Sequence, residues 1–362
     1  MSGIDDASDV SGMRWSDASH ILCIRLDYLG DVLMCTPAMR ALRDSAPGRR
    51  LTLLSSPGGA AVASFIPELD AALAFQAPWM KHGAMQDANA VPAMAETLRA
   101  GRFDAAVIFT TYSQSALPAA MLCQMAGIPL RLAHCRENPY QLLSDWVPET
   151  EPQQQVRHEV RRQLDLVASI GCRTTDERMS FSVPDADLAW ACAALAQCDI
   201  GPDTRWVLMH PGATAASRRY PPAQWAQVLR LLAADGMQAV FTGSAGEGAL
   251  IDGIREAAGA RSHSLAGQAT LGQLGALIAL APVMVSNNTG PAHIAAALGT
   301  PLVDLYALTN PQHTPWQSPS RVLYHDVACR NCYRSVCPQG HHDCLARVEP
   351  ARVAEAVHSL LG

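Results

Sequence analysis

The sequence has no run of about 18 consecutive apolar residues, the length that a membrane-spanning helix requires. Its start also lacks the basic segment, apolar core and cleavage site that are typical of a secretory signal. With a net charge of −6, the chain has no general basic field that would favour a nucleic acid as partner. These absences predict a cytoplasmic protein without a nucleic-acid partner, touching a membrane at most from one side.

A dinucleotide-binding fingerprint is missing as well. Neither half of the chain has G-x-G-x-x-G after its first predicted strand, where such glycines let the backbone approach a pyrophosphate. A dinucleotide-dependent dehydrogenase is therefore disfavoured. Apolar residues make up 49% of the chain and charged residues 17%, which argues against disorder and for globular domains.

Disulfides are not expected, although the chain has 11 cysteines. Seven are scattered through apolar or helical segments of a chain predicted to be cytoplasmic, where thiols stay reduced. The other four could hold a tetrahedral structural zinc ion, but their irregular spacing also fits reduced thiols, so both interpretations stay open. This cysteine-rich segment contains Cys329, Cys332, Cys337 and Cys344.

Short apolar runs alternate with helical patterns in both halves, which predicts an α/β protein with parallel sheets. In the first half, strands are expected at 20–26, 49–56 and 103–109, with one helix over 31–47. Two Rossmann-like domains facing each other across a cleft are therefore expected. The predicted divisions are a disordered tail at 1–18, an N-terminal domain at 19–185, a linker at 186–204, a C-terminal domain at 205–345 and a C-terminal helix at 346–362.

The first predicted strand runs into RLDYLGDVLM, which carries Asp27 and Asp31 on either side of Gly30. The carboxyl ends of parallel strands often form active sites, and a helix N-terminus favours negative charge. Asp31, held by Gly30 at the start of the predicted helix, is therefore either a capping group or a catalytic group.

A second candidate site follows the strand that precedes TGPAHIAAALG. Here Thr289 and Gly290 stand at a helix N-terminus, whose free N–H groups form an anion site, and His293 lies one turn further on. These residues are candidates for contact with a diphosphate. A capped structural helix with a core histidine is the equally open alternative.

Two further loops carry polar groups after strands. MHPGATAASRR supplies Thr214 and the cations Arg218 and Arg219, whose planar guanidinium groups suit phosphate oxygens. FTGSAGE presents Glu247, a carboxylate able to accept hydrogen bonds from ribose hydroxyls. Taken alone, solvated arginines and a helix-capping glutamate explain these residues as well.

Together, these stretches resemble glycosyltransferase family 9, the ADP-heptose:lipopolysaccharide heptosyltransferases of Gram-negative bacteria. Matching segments span roughly residues 20–361 in family order and include RLDYLGDVLMCTPAMRALR, HPGATAASRRYPPAQWA, GSAGE and SNNTGPAHIAAALGTPLVDLYALTNPQHTPW. The resemblance implies a GT-B fold, with the acceptor bound by the N-terminal domain and the nucleotide-sugar donor by the C-terminal domain. It also implies inverting transfer without a cofactor or catalytic metal, in the cytoplasm or at the cytoplasmic face of the inner membrane.

The resemblance also implies a role for individual residues. Asp31 becomes the catalytic base, beside Gly30 on the acceptor side. Arg218 or Arg219 becomes the phosphate-binding cation, and Glu247 the ribose ligand. The donor motif Asp-Thr/Ser-Gly-Pro-x-His falls on Asn288, Thr289, Gly290, Pro291 and His293.

Asn288 departs from the family, which usually has aspartate there. An amide can still cap the helix and accept a hydrogen bond, but it has no charge, so the identity of the donor stays open. On the acceptor side, Arg136 is a candidate for contact with a carboxylate or phosphate, and an ordinary loop residue is the equally open alternative. The helix over 156–167 is predicted to have a solvated basic face, which suits anionic lipid headgroups.

The leading hypothesis is an inverting, metal-independent transferase that moves a heptose or related sugar from an ADP-sugar to a lipopolysaccharide core or related glycan. Its expected partners are ADP-heptose and a glycolipid or oligosaccharide acceptor. A transferase with a different donor, an epimerase or hydrolase of the same fold, and a non-catalytic nucleotide-sugar-binding protein are the alternatives.

Overall fold

The computed structural model describes residues 13–81 and 87–362. Nowhere in these two ranges does a helix combine the length and the apolar character needed to cross a membrane. The chain divides into two compact units. The first comprises Met1–Ser64 and Glu68–Asp176, and the second comprises Phe65–Pro67 and Glu177–Gly362.

Within the described residues, the first unit has a six-stranded parallel sheet in the order β3-β2-β1-β4-β5-β6. This is the strand order of the Rossmann fold. Its central strands are almost wholly apolar and buried, as expected for a sheet covered on both faces. The strands are β1 (His20–Arg25), β2 (Arg50–Ser55), β3 (Ala71–Ala74), β4 (Ala105–Ile108), β5 (Leu130–Cys135) and β6 (Asp145–Pro148).

The predicted helix over 31–47 is wrong in one respect, because the structure has two helices there. The second begins at Thr36 with Pro37 in its first turn, where a residue without an N–H group is tolerated. The helices of this unit are α1 (Leu29–Leu33), α2 (Thr36–Asp44), α3 (Pro57–Ala60), α4 (Ala90–Gly101), α5 (Leu117–Met125) and α6 (Glu159–Ala168).

The second unit repeats the strand order in its own parallel sheet, β12-β11-β10-β7-β8-β9, six-stranded within the described ranges. Its strands are β7 (Trp206–His210), β8 (Gln238–Phe241), β9 (Ser262–Ser264), β10 (Met284–Asn287), β11 (Leu302–Leu305) and β12 (Ser320–Leu323). Its helices are α7 (Asp185–Gln197), α8 (Pro222–Ala234), α9 (Gly248–Ala258), α10 (Leu271–Leu280), α11 (Gly290–Leu298), α12 (Asp343–Ala346) and α13 (Pro350–Leu361). The α/β class and the two Rossmann-like sheets of a GT-B protein are thereby confirmed.

Each unit has its own apolar core between sheet and helices. In the second unit, the indole of Trp225 on α8 is fully buried and meets the ring of Tyr220 edge-on, with ring centroids 5.8 Å apart. In the first unit, β1 and β4 pack with α4 and α5 around Leu22 and Ile108. These cores hold the carboxyl ends of the strands in place.

The described part of the predicted tail, residues 13–18, contacts the rest of the first unit. The indole of Trp15 donates a hydrogen bond to Asp145 at 2.9 Å, and Arg49 donates to the carbonyl oxygen of Trp15 at 2.6 Å. Residues 1–12 of that tail lie outside the described residues. In the segment predicted as a linker, α7 packs against α10 of the second unit.

Candidate active site

Each sheet has a switch point, the place where the strand order reverses. It lies between β1 and β4 in the first unit and between β7 and β10 in the second. In open α/β sheets, ligands bind outside the carboxyl ends of the strands at this place. Asp31 follows β1, Arg218 follows β7 and Asn288 follows β10, so these three predicted residues lie at the two switch points.

In the first unit, Arg25 at the end of β1 is fully buried beneath three carboxylates. Its guanidinium nitrogens lie 2.7 Å from Glu159 Oε1, 2.9 Å from Asp27 Oδ2 and 3.3 Å from Asp31 Oδ1. We call these four side chains the Arg25 cluster. One positive charge is shared by three negative ones, so the carboxylates are only partly neutralised.

Asp31 is the carboxylate that this cluster holds least tightly. Its ion pair with Arg25 is the longest of the three, and its side chain is 22% exposed whereas that of Glu159 is fully buried. Its Oδ2 also accepts a hydrogen bond from the backbone N–H of Tyr28 at 3.2 Å, across the start of α1. Gly30 is buried in the same turn. Asp31 therefore makes a capping contact and also has a carboxylate that is partly exposed to solvent.

Asp27 belongs to the same cluster, although sequence reasoning leaves it without a role. The side-chain amide of Gln114, from the loop after β4, donates a hydrogen bond to its Oδ1 at 2.7 Å. Burial raises the pKa of Asp27 to about 6, while the Arg25 charge opposes the shift. Its position two residues past β1, at the switch point, is the signal that marks it.

Arg136, the predicted acceptor ligand, follows β5 and is exposed. Its guanidinium donates hydrogen bonds to the carbonyl oxygens of Tyr112 at 3.1 Å and Glu151 at 3.0 Å. The side chain therefore joins two loops of the first unit. Because a guanidinium has five N–H donors, these contacts leave donors for another group.

The predicted solvated basic face over 156–167 is wrong. Arg162 on α6 is fully buried, with its guanidinium 2.6 Å from Glu149 Oε2 and its Nε donating to Thr110 O at 2.9 Å. Glu159 and Gln163 on the same helix are fully buried too. The buried carboxylates that pair with Arg162 are distant in sequence, so helical periodicity alone does not reveal them.

In the second unit, Asn287 ties together the loops that follow β10 and β7. Its Nδ2 donates to Pro211 O at 2.7 Å, and its Oδ1 accepts from the backbone N–H of Tyr220 at 3.1 Å. Sequence reasoning gave this residue no role. Its buried amide holds the start of α11 beside the loop after β7.

The helix α11 begins at this switch point. Thr289 precedes it and donates its hydroxyl to Asn287 O at 3.2 Å rather than accepting a capping hydrogen bond. Gly290 is half-buried, and His293 is buried one turn further on. The first N–H groups of a helix have no intrahelical acceptor, which gives this end a partial positive charge.

The two arginines after β7 have different surroundings. Arg218 is half-buried, and its Nη1 lies 3.5 Å from the backbone oxygen of Asn288, which accepts the hydrogen bond. Arg219 is exposed and donates through Nε to Ala213 O at 2.8 Å, and Thr214 is exposed on the same loop. Arg218 is therefore the cation that reaches the loop after β10.

Glu247 joins the loops after β8 and β7. One carboxylate oxygen accepts hydrogen bonds from the backbone N–H and hydroxyl of Ser244, at 2.7 and 3.0 Å. The other lies over Gly212, where an added Cβ would be 2.0 Å from it. Only glycine at position 212 permits this approach, so the glycine after β7 and the carboxylate after β8 depend on each other.

Asn288 is buried and hydrogen-bonded to a carboxylate on the next strand. Its Nδ2 donates to Asp304 Oδ2 and to His313 O, each at 3.0 Å. Burial raises the pKa of the fully buried Asp304 to about 7, against the hydrogen bond from Asn288 and the charge of Arg218. Asp304 lies in the apolar run LVDL, where one polar residue forms no motif, so the sequence did not reveal it.

The predicted structural zinc site at Cys329, Cys332, Cys337 and Cys344 is unsupported. Residues 13–81 and 87–362 contain no group of three or more His, Cys, Asp or Glu side chains arranged to hold a metal ion. Cys344 packs against the apolar core, and this burial raises its pKa and disfavours the thiolate that a metal needs. Cys329 Sγ instead lies 3.8 Å from His341 Nε2.

Comparison with known proteins places this geometry in a family. The model of glycosyltransferase family 9 (heptosyltransferase) matches residues 91–342. Lipopolysaccharide heptosyltransferase 2 of Escherichia coli K12 is 26% identical over 355 residues, covering 94% of this chain and 98% of that protein.

Two solved structures have the same fold. The family 9 glycosyltransferase of Veillonella parvula superposes with a TM-score of 0.79 at 19% identity, covering 97% of this chain and 98% of that one. The ADP-heptose lipopolysaccharide heptosyltransferase II of E. coli gives 0.73 at 25% identity, covering 94% and 98%. The chain belongs to glycosyltransferase family 9, the heptosyltransferase family, and is a glycosyltransferase.

Proposed function

We propose that this glycosyltransferase moves a heptose or related sugar from an ADP-sugar to a lipopolysaccharide core or related glycan, with inversion and without a catalytic metal. The names of its relatives, a lipopolysaccharide heptosyltransferase and an ADP-heptose heptosyltransferase, support the donor and acceptor classes. The observation that carries the proposal is the division of charge. Partly exposed carboxylates stand at one switch point, and a helix N-terminus with a half-buried arginine stands at the other.

Asp31 is the proposed base. It takes the proton of the acceptor hydroxyl as that oxygen bonds to the anomeric carbon and the bond from that carbon to the diphosphate breaks, releasing ADP. The partly exposed side chain of Asp31 supports this role, because it is the carboxylate that the Arg25 cluster holds least tightly. Gly30, buried beside Asp31 in the same turn, is proposed to lie next to the acceptor.

The departing diphosphate is the proposed ligand of α11 and Arg218. The N–H groups near Thr289 and Gly290, the helix dipole and the guanidinium all favour negative charge that builds up as the bond breaks. His293 is proposed to donate to a phosphate oxygen, and Glu247 to accept from the ribose hydroxyls. Thr214 and Arg219, on the same loop as Arg218, are proposed as additional contacts to the nucleotide-sugar donor.

Arg136 is the proposed acceptor ligand, because its exposed guanidinium suits the carboxylates and phosphates of a lipopolysaccharide core. A lipid-linked acceptor would bring the protein into peripheral contact with the inner membrane. We propose this contact from the acceptor class alone.

Calorimetry with ADP, UDP, GDP and their sugars tests the donor, since ligand affinity reads the preference without an acceptor. The expected result is selective binding of ADP and ADP-heptose. Mass spectrometry of the products, with a heptose-free lipopolysaccharide core as acceptor, then separates the alternatives. Transfer with inverted anomeric configuration supports the proposal. Release of free or epimerised sugar indicates a hydrolase or epimerase, and donor binding without turnover indicates a binding protein.

A further inference from the structure

The side-chain amide of Asn288 has a fixed orientation. Its two neighbours, Asp304 Oδ2 and His313 O, each lie 3.0 Å away and are both acceptors, so only the NH₂ group can face them. Both protons of Nδ2 are thereby used. Oδ1 is the remaining polar atom of the amide, and it accepts no hydrogen bond from the described part of the chain. Asn288 is therefore left as an acceptor only.

Asp304 makes this orientation possible at an energetic cost. It is fully buried, and its Oδ1 receives no hydrogen bond from residues 13–81 or 87–362. Burying a carboxylate with an unpaired oxygen is unfavourable, and an apolar residue in a strand of apolar neighbours would avoid that cost. The carboxylate is therefore not explained by stability.

The same carboxylate acts on the cation of the site. Arg218 donates to the backbone oxygen of Asn288 at 3.5 Å, and its positive charge stabilises the ionised form of Asp304. Asp304, Asn288 and Arg218 thus form a row from the core towards the half-buried guanidinium.

We propose that Asp304 is a positioning residue for the sugar donor: it holds Asn288 so that Oδ1 accepts from a hydroxyl of the transferred sugar. This inference rests on the proposed function. An acceptor atom suits a hydroxyl and not a phosphate oxygen, and the ribose hydroxyls are already assigned to Glu247, so we assign the contact to the transferred sugar. The family usually has a carboxylate at position 288, whereas in this chain the carboxylate is that of Asp304 on the neighbouring strand β11.

The arrangement has a counter-intuitive consequence. Asn288→Asp restores the family's usual residue, yet it would put a carboxylate oxygen 3.0 Å from both Asp304 Oδ2 and His313 O. The new oxygen would face the His313 carbonyl with no proton between them, and the ionised form of Asp304 would repel it, so the variant is expected to bind the donor worse. Asp304→Asn is also expected to weaken binding, because its amide can donate and lets Asn288 turn over. Exchanging the two residues restores one carboxylate and one amide at the 288–304 contact, whereas the carboxylate oxygen still faces His313 O, so the recovery is expected to be partial.

The test is a double-mutant cycle of Asn288→Asp, Asp304→Asn and the double exchange, with ADP-heptose affinity measured by calorimetry and kinetics. ADP is the sugar-free probe. Each single variant is expected to lose about tenfold or more in ADP-heptose affinity, and less in ADP affinity, while the double exchange recovers part of the loss. Asp252→Asn, which neutralises an exposed carboxylate on α9 paired with Arg255, is the matched control and is expected to change nothing.

Undiminished binding by Asn288→Asp, or additive losses in the double variant, would overturn the proposal. If Asn288→Asp fails to fold, Asn288→Ala replaces it, and Asp304→Asn added to Asn288→Ala must then cause no further loss of ADP-heptose affinity. If Asp304→Asn fails to fold, Asn288→Ala alone must lose more affinity for ADP-heptose than for ADP. If the unchanged protein binds no ADP-sugar, the proposed function has failed. The contact between Asn288 and Asp304 is then tested by the same double-mutant cycle in urea unfolding. If the changes in the free energy of unfolding are additive, the two residues are not coupled and the pairing is overturned.

Discussion

The two switch points have the same strand order but opposite charge arrangements. In the first unit a fully buried cation, Arg25, lies beneath the partly exposed Asp27 and Asp31. In the second unit a fully buried carboxylate, Asp304, interacts electrostatically with the half-buried Arg218 above it in the row through Asn288. The buried charge thus has the opposite sign to the group above it in both places.

This difference matches the two halves of a glycosyl transfer. A proton-accepting group must be accessible to the acceptor, and the carboxylates above Arg25 are partly exposed. A leaving diphosphate favours a nearby cation, which the half-buried Arg218 would provide. The strand order determines where each site lies, at a switch point. The sign of the buried charge then determines whether that site suits a proton-accepting group or a diphosphate.

Removing the buried cation is the strongest way to break this comparison. Arg25→Met leaves three carboxylates without their shared partner, and we expect the free energy of unfolding to fall by about 3 to 5 kcal/mol. Urea unfolding measures it. Arg261→Met, which removes an exposed arginine paired with Asp199 at 2.9 Å, is the control. Equal effects of the two variants would mean that the Arg25 cluster contributes no more than a surface pair.

The buried carboxylate of the second unit should make stability depend on pH. The pKa of Asp304 is raised to about 7, so the folded protein keeps a proton that the unfolded chain has already lost. Its contribution to the free energy of unfolding therefore falls as pH rises from about 4 to 7, by roughly 2 to 4 kcal/mol. Asp304→Asn removes that fall.

Two histidines act in the opposite direction over the same range. Burial lowers the pKa of His134 and His210 to about 4, so their contribution to stability is lost as pH falls from about 6.5 to 4. The difference between the unchanged protein and Asp304→Asn at each pH isolates the carboxylate. A difference that stays constant between pH 4 and 7 would contradict the assignment.

Replacing either arginine after β7 is expected to change ADP affinity, with a smaller effect than the changes in stability above. Arg218→Met should weaken ADP binding about tenfold, because a charge-assisted contact to the diphosphate is lost. Arg219→Met, whose guanidinium already bonds to Ala213 O, should weaken it less than about threefold. Calorimetric titration with ADP at two salt concentrations checks both variants. The reverse ranking would assign the phosphate contact to Arg219.

The fold could be predicted because buried parallel strands leave uninterrupted apolar runs, and the helix starts carry Pro and Gly. The division of the predicted helix over 31–47 into two helices could not be predicted in the same way. Pro37 is compatible both with a kink inside one helix and with the first turn of a second helix. The predicted positions of Asp31, Arg218 and Glu247 at strand ends followed from the resemblance and the strand pattern together.

Pairs between distant residues could not be predicted. Asn288 is 16 residues from Asp304, Gly212 is opposite Glu247, and nothing local in the sequence links either pair. The burial of Arg162 has the same origin, because its partner Glu149 lies on a different element. Periodicity reports which face of an element is apolar, whereas it does not report which charges meet inside the fold.

The most direct test of the central claim is single-turnover transfer of heptose from ADP-heptose to a lipopolysaccharide core by the unchanged protein, Asp31→Asn and Asp27→Asn. Asp31→Asn should slow transfer about 100-fold or more while ADP-heptose affinity is kept. Asp27→Asn, a matched change in the same cluster, should slow it less than about tenfold. Unchanged transfer by Asp31→Asn, or a larger loss in Asp27→Asn, would contradict Asp31 as the base.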